Sequence, residues 1–178
     1  PLKFGTVIVS KNGKSASDNL KEWLKEGEER LEKVWESIKG KKEYGIRIYY
    51  RKKQLVSELE ETSELSAIKK GIREKSAGVA YLLKGKLESQ TAELLRAKVN
   101  RFKEVFYELL KGLTDDVVVN MSKLAINAED DLLLNVSVLG KEDEITLIRE
   151  SLEKYADDGF SYHFVGPFAP YSFVENVN

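Results

Sequence analysis

Apolar residues alternate with polar ones in several stretches of the chain, the pattern of strands with one buried face. Five stretches show it, at residues 2–9, 44–50, 117–122, 132–139 and 160–165. The third and fourth stretches are joined by a short polar segment at residues 127–131, which predicts a hairpin. The alternation therefore predicts five strands.

Apolar residues spaced three and four apart predict helices between these strands. Ser15 or Ser17 can cap a helix that ends at Gly40. Residues 142–156 show the same spacing and predict a helix before the last strand. Each of these helices separates two predicted strands, so the chain contains two β-α-β units.

Residues 51–113 have a helical pattern and contain no proline. A single unbroken helix of that length does not suit a chain of this size, so a break near residues 76–78 predicts a helical hairpin. Gly71, Gly78 and Gly85 are seven residues apart. They either allow the two arms to approach closely or are unrelated glycines near a helix break.

These elements predict an α+β fold, with a modified ferredoxin-like sheet whose helices pack on one face. We expect a single domain over residues 1–178, with the helical hairpin inserted at about residues 51–113. An extended tail rich in aromatic residues and proline follows the last strand.

Composition narrows the class of protein. Apolar residues make up 42% of the chain and charged residues 33%, which is typical of a folded, highly soluble protein. No apolar run is long enough to span a membrane, and the first residues do not resemble an export signal, so we expect a cytoplasmic protein. The chain has no cysteine, which excludes disulfides and thiol chemistry. Its formal charge of −1 argues against binding nucleic acid.

The segment at residues 12–15 lies between a predicted strand and a predicted helix, where a phosphate-binding loop would sit. That loop requires a glycine five positions before Gly13, and Ile8 stands there. We interpret the segment as a turn followed by a serine helix cap.

Other polar residues give no pattern typical of an active site. His163 is the only histidine, so one chain cannot form a multi-histidine metal site, and a packed or edge histidine is the simple interpretation. The paired aspartates at residues 115–116, 130–131 and 157–158 lie at predicted element boundaries, where turns and caps favour aspartate. We predict no catalytic, metal-binding or cofactor-binding residues and expect a protein that is not an enzyme.

The tail at residues 166–173 combines two of the three prolines with three aromatic residues. Proline fixes φ and removes a donor, so the tail should leave the sheet as a stiff extended segment. It either folds back as a lid over the sheet or presents its rings to a partner. The candidate partner-binding residues are Gly166, Pro167, Phe168, Pro170, Tyr171 and Phe173.

Four segments of the chain resemble one family. The sequence Gly-Pro-Phe-Ala-Pro-Tyr-Ser-Phe-Val at 166–174 is similar to the closing Gly-Pro-Trp-Pro-Pro-Tyr-Ser-Phe-Val of the GvpL/GvpF gas vesicle proteins. Residues 1–6, 43–47 and 80–82 resemble that family's segments in the same order. Phe168 and Ala169 depart from the Trp and Pro of the family pattern.

The resemblance implies an accessory or minor structural protein that binds the gas vesicle shell protein and other accessory proteins, and that assists nucleation and assembly as a chaperone would. It also implies a ferredoxin-like domain, a location at the gas vesicle, and an amino-terminal family domain that precedes residue 1. A small-molecule-sensing or regulatory ferredoxin-like module is the alternative function.

Overall fold

The computed structural model describes residues 7–120, 130–156 and 158–174. Their helices and strands are, in chain order, α1 (Ala16–Glu26), α2 (Glu28–Ile38), β1 (Lys42–Arg51), α3 (Lys52–Glu60), α4 (Ser63–Glu74), α5 (Ala77–Lys111), β2 (Asp116–Val119), β3 (Asp130–Gly140), α6 (Glu142–Glu153) and β4 (Phe160–Phe168). A 3₁₀ turn at Tyr171–Phe173 follows the last strand.

The four strands form one antiparallel sheet in the order β2-β3-β1-β4. β1 is therefore a central strand, with β3 on one side and β4 on the other. Helices α3 to α5 connect β1 to β2, and α6 connects β3 to β4. The predicted mixture of helices with an antiparallel sheet is confirmed.

One face of the sheet is apolar and lies beneath the helices. Its centre is formed by alternate strand residues that are almost completely buried, together with side chains of α5 and α6: Ile46, Ile48, Val136, Val138, Phe106, Leu110, Ile148 and Leu152. The ring of Phe106 lies 5.0 Å from that of Phe160 and 5.1 Å from that of Tyr155, both edge to face. Phe106 therefore joins α5, β4 and the end of α6.

The 35 residues of α5 span about 52 Å, longer than the sheet is wide. The carboxy-terminal half packs on the sheet core, and the amino-terminal half packs antiparallel against α4. The predicted break is confirmed, because α4 ends at Glu74 and α5 begins after Ser76. None of the helices in the described ranges is both long enough and apolar enough to cross a membrane.

The seven-residue glycine spacing has a mixed outcome. A Cβ on Gly71 would lie 3.4 Å from Leu83 Cδ1, so this glycine lies where α4 meets α5. Gly78 and Gly85 have open space at the same position. Close approach of the two arms therefore accounts for Gly71 alone.

Two predictions about the first forty residues need correction. Residues 1–6 of the predicted first strand lie outside the described residues, and residues 7–10 are not in a strand. The predicted single helix is instead two helices that meet at Gly27. A Cβ at Gly27 would lie 3.3 Å from the carbonyl oxygen of Trp23, so a larger residue would be crowded there. Neither α1 nor α2 has a buried residue.

Further boundaries also differ from the prediction. The first arm of the hairpin consists of α3 and α4, separated at residues 61–62. Asp130 and Asp131 begin β3 rather than belonging to the connecting segment, because they pair with Arg51 and Tyr50 of β1. Residues 121–129 lie outside the described residues.

We expect Phe106→Ala to lower the free energy of unfolding by about 3–5 kcal/mol, because it leaves a cavity between α5, α6 and β4. Urea denaturation followed by circular dichroism measures this change. Val105→Ala is the control on the same helix, since Val105 is 41% exposed and its loss should cost below about 1 kcal/mol. Equal effects of the two substitutions would contradict this description of the core.

Candidate functional site

The second face of the sheet carries a different set of side chains. Because strand residues alternate, the neighbours of the core residues on β1 and β3 point to this face. They include Glu43, Gly45, Arg47, Asn135 and Ser137, and also the buried apolar residues Tyr49 and Leu139. The carboxy-terminal tail crosses one end of this face.

The path of the tail begins with an irregularity in β4. Gly45 pairs with Val165 and Glu43 pairs with Phe168, so β4 has one more residue than β1 in this interval, as in a β-bulge. Gly166 lies within the extra length with φ at +128°, and a Cβ there would lie 2.9 Å from the carbonyl oxygen of Glu43. Only glycine fits this position without strain.

The prolines predicted that the tail leaves the sheet at Gly166, and this prediction is wrong. β4 continues through Pro167 to Phe168. Among the strands of the described ranges, β4 pairs with β1 alone, and a proline is tolerated on such an edge because its missing N–H is not required by a second neighbour. The chain then turns at Pro170 into the 3₁₀ turn, which lies against β2.

Ser172 fastens the tail to the second face. Its backbone N–H donates to Glu43 Oε2 at 2.9 Å, and its hydroxyl donates to Glu43 Oε1 at 2.5 Å. The Ser172 hydroxyl also lies 3.3 Å from that of Ser137, which accepts a hydrogen bond from Asn120. Glu43 is only 6% exposed, so these bonds replace the water that its carboxylate loses. We call the Glu43–Ser172 pair the tail latch.

The structure brings the six predicted tail residues to one end of the sheet but gives them different environments. Phe168 is 52% exposed and Tyr171 is 62% exposed. Pro170 and Phe173 are half-buried, and Val174 beyond them is buried. The end of the tail thus lies over the sheet, as the first alternative predicted, but it does not bury its rings as core: Phe173 is half-buried, and Phe168 and Tyr171 present their rings outward.

A shallow cavity of about 390 Å³ lies on the second face beside Phe168. Its polar lining comes from Glu43, Arg47, Asn120, Asn135 and Ser137, and its apolar lining includes Val165. No ion pair or hydrogen bond of the Arg47 side chain occurs within the described ranges. The guanidinium can therefore offer its donors to an anionic or carbonyl group.

Two titration shifts in the fold have structural causes. Burial raises the pKa of Tyr50 to about 12, and the carboxylate of Asp131, which accepts its hydrogen bond at 3.2 Å, acts in the same direction. Burial also raises the pKa of Tyr162. Tyr50 is part of the core, and Tyr162 packs against it.

The segment at residues 12–15 is a turn and a cap, as predicted. Lys14 donates to Glu22 at 2.6 Å, and this hydrogen bond raises the pKa of the lysine. The backbone N–H of Asp18 donates to the hydroxyl of Ser15, which caps α1. The hydrogen bond from that hydroxyl lowers the pKa of Asp18. The side chains of Lys14 and Ser15 thus have partners in the fold.

The remaining polar candidates are dispersed. His163 is exposed on β4 and stands opposite Arg47 in the strand register. Asp116 forms an ion pair with Lys41, and Asp131 contacts Tyr50 and Lys52. Within residues 7–120, 130–156 and 158–174, no three histidine or acidic side chains are grouped as a metal site would require.

The tail latch and Arg47 were not singled out from the sequence. Glu43 and Ser172 are 129 residues apart, so no local pattern connects them. One signal was present. Glu43 directly precedes the predicted strand at residues 44–50, and an acidic residue there needs a hydrogen-bond partner if it is buried. Ser172, which lies between two aromatic residues of the tail, could have been considered as that partner.

Comparison of the sequence with known protein families identifies the family of this chain. The profile of the family described as "Gas vesicle synthesis protein GvpL/GvpF" matches residues 1–175. The chain therefore belongs to this family of gas vesicle proteins, as the sequence resemblance predicted.

Relatives with curated names agree with this assignment. The chain is 22% identical over 187 residues to gas vesicle protein L of Haloferax mediterranei, covering 99% of this chain and 56% of that protein. It is also 22% identical over 184 residues to gas vesicle protein L2 of Halobacterium salinarum, covering 99% and 64%. The chain thus spans about three fifths of the length of these relatives.

Two crystal structures share the fold. GvpF from Anabaena sp. PCC7120 matches with a TM-score of 0.64 at 18% identity, covering 98% of this chain and 68% of that one. GvpF from Microcystis aeruginosa matches with a TM-score of 0.57 at 16% identity, covering 98% and 69%. At such low identity the two structures establish the fold alone.

Loss of the tail latch should destabilise the protein measurably. We expect Ser172→Ala to lower the free energy of unfolding by about 1–3 kcal/mol, because the buried Glu43 carboxylate loses a hydroxyl donor. Urea denaturation measures the change, with Ser161→Ala as the control, since Ser161 is an exposed serine on β4. If both variants were as stable as the parent, the latch would contribute nothing to the fold.

Proposed function

We propose that this protein is an accessory or minor structural component of the gas vesicle that binds the shell protein and assists nucleation and assembly. Membership of the GvpL/GvpF family supports a role in gas vesicles. The observation that carries the proposal of direct binding is the pair of exposed aromatic rings, Phe168 and Tyr171, on a tail held by a buried latch.

The physical argument rests on the cost of ordering a contact surface. Exposed aromatic side chains supply large contact areas with few rotatable bonds, so little conformational entropy is lost when they bind. The latch on Ser172 fixes the backbone directly after Tyr171, which reduces that loss further. A shell protein before assembly would expose apolar surface that aggregates, and a rigid aromatic contact on a charged protein could shield it.

Several finer assignments belong to the same proposal. The chain order of strands and helices, with β3 next to β1 and β4 at the edge, supports a ferredoxin-like domain. We also propose that the protein acts without catalysis, at the gas vesicle and in the cytoplasm, with the shell protein and other accessory proteins as partners. The helical segment from α3 to α5 would be the family insertion.

Removal of the two exposed rings should weaken binding without unfolding the protein. We expect a variant with both Phe168→Ala and Tyr171→Ala to retain about tenfold less shell protein in a co-expression pull-down, because aromatic residues dominate the energy of protein interfaces. Thermal unfolding should change little, since both rings are largely exposed.

Leu147→Ala is the matched control, because Leu147 is a similarly exposed apolar residue on α6. It should retain the shell protein as the parent does. Failure of the parent chain to retain any shell protein would contradict the proposed function. Equal retention by the parent and the double variant would instead show that the exposed rings of the tail take no part in binding the shell protein.

A regulatory, small-molecule-sensing module is the second candidate function, and the cavity beside Phe168 favours it. The cavity offers the donors of Arg47 and the amides of Asn120 and Asn135 next to apolar Val165. A carboxylate-bearing small molecule would match these groups. A thermal-shift series with small carboxylates should then raise the melting temperature with concentration, and Arg47→Gln should abolish the shift.

A further inference from the structure

The α4–α5 hairpin ends far from the sheet. We call residues 70–86, which include the end of α4 and the beginning of α5, the hairpin tip. Leu95 is the first residue of α5 that packs against the sheet core. Ala77 therefore lies about 27 Å further along the helix, beyond the reach of the sheet.

Large apolar side chains are exposed at the hairpin tip. Tyr81 is 78% exposed, Leu82 is 71% exposed, and the neighbouring Val79 is also exposed. Single exposed apolar residues are common on proteins, but Tyr81 and Leu82 are adjacent on α5 and form a patch, with Val79 at its border one helical turn from Leu82. None of the three is part of the core, so the fold does not account for them.

Two glycines lie on the same face as this patch. Gly78, Tyr81, Leu82 and Gly85 are three or four residues apart, which places them side by side on the helix. A Cβ at Gly78 or at Gly85 would meet open space. Glycine within a helix costs about 1 kcal/mol relative to alanine, and no contact inside the described chain accounts for it here. The face is a shallow gap between protruding side chains, a shape that admits another helix.

The hairpin tip is also positively charged, although the whole chain carries −1. Its exposed cations are Lys70, Arg73, Lys75, Lys84 and Lys86, and its only acidic residue is Glu74. None of these five cations forms an ion pair with a residue of the described ranges. The first turn of α5 contains no acidic residue, so the positive end of the helix dipole adds to the same field.

We propose that the hairpin tip is a docking surface for an acidic amphipathic helix of a partner protein. The apolar face of that helix would contact Tyr81 and Leu82, its backbone would approach over Gly78 and Gly85, and its carboxylates would meet the lysines. The glycine gap favours a helix over a lipid surface, because a bilayer gains nothing from a recess in the helix that touches it. This surface is separate from the tail and does not depend on whether the tail binds the shell protein.

The test uses a fluorescent amphipathic peptide about five helical turns long, with leucine and alanine on one face and glutamate on the other. Anisotropy titration with the full chain should show binding that weakens as salt is added. The same peptide with lysine in place of glutamate should not bind. Lys84→Glu with Lys86→Glu should weaken binding roughly tenfold or more, as should Leu82→Ser.

Arg96→Glu with Arg101→Glu is the charge-matched control, because both arginines are exposed on the sheet-proximal half of α5. It should bind the acidic peptide as the parent does. Gly85→Gln separates binding from stability. It should raise the melting temperature by about a few degrees, because glutamine is the better helix former, and yet weaken binding by filling the gap.

Several results would overturn the proposal. They are no binding of the acidic peptide, equal binding of the lysine peptide, and equal losses in the two charge-reversal variants. Unchanged binding by Gly85→Gln would contradict the close approach of the partner helix over the glycines. Binding of phosphatidylserine vesicles without binding of the peptide would make a membrane the occupant. Self-association in sedimentation velocity that Lys84→Glu with Lys86→Glu abolishes would make it a second copy of this chain.

Discussion

Burial of one sheet face beneath α5 is the contact on which the other parts of this structure depend. β1 has strands on both sides, so the side chains of Ile46 and Ile48 can be removed from water only by helices packed above them. Phe106 of α5 covers this region and meets the rings of Phe160 and Tyr155. Full burial of one such side chain stabilises the fold by about 1.5–3 kcal/mol. A few buried side chains in its carboxy-terminal half are therefore enough to hold α5 on the sheet.

The same arrangement explains why the second sheet face needs the tail. Because the helices pack on one face only, polar residues such as Ser137 and Asn135 occupy the other. Glu43 is nevertheless buried there, and a buried carboxylate without donors would be strongly destabilising. Ser172 supplies two of those donors. The tail therefore completes the fold, and its two outward rings are held in place by a contact that the sheet itself requires.

Local patterns predicted the elements whose signals are themselves local. The alternation around Ile46 and Ile48 predicted β1, the spacing of Ile145 and Ile148 predicted α6, and the serine before residue 16 predicted a helix cap. Family membership, predicted from four short segments, was confirmed by the match over residues 1–175.

Long-range pairing could not be read in the same way. Prolines at 167 and 170 predicted departure from the sheet, but their effect depends on whether the strand has a second neighbour, and β4 has none among the strands that the structure describes. Glu43 and Ser172 carry no mutual signal along the chain. Residues 7–10 continue an alternating pattern but form no strand, because alternation describes which side chains could be buried and not whether a partner strand is present.

The tail and the hairpin tip differ in how closely they are tied to stability. In the tail, Ser172 and Val174 are part of the fold, so a change at either of them can alter stability as well as the position of the exposed rings of Phe168 and Tyr171. The hairpin tip lies beyond the part of α5 that packs on the core, and within the described ranges Gly78 and Gly85 have open space at the Cβ position. A lysine-rich, glycine-containing surface can therefore change there without cost to the sheet, and a helix that kept glycines at 78 and 85 for stability alone would be better served by alanine. Stability alone therefore does not explain the glycines at 78 and 85, whereas a contact with a partner at the hairpin tip does.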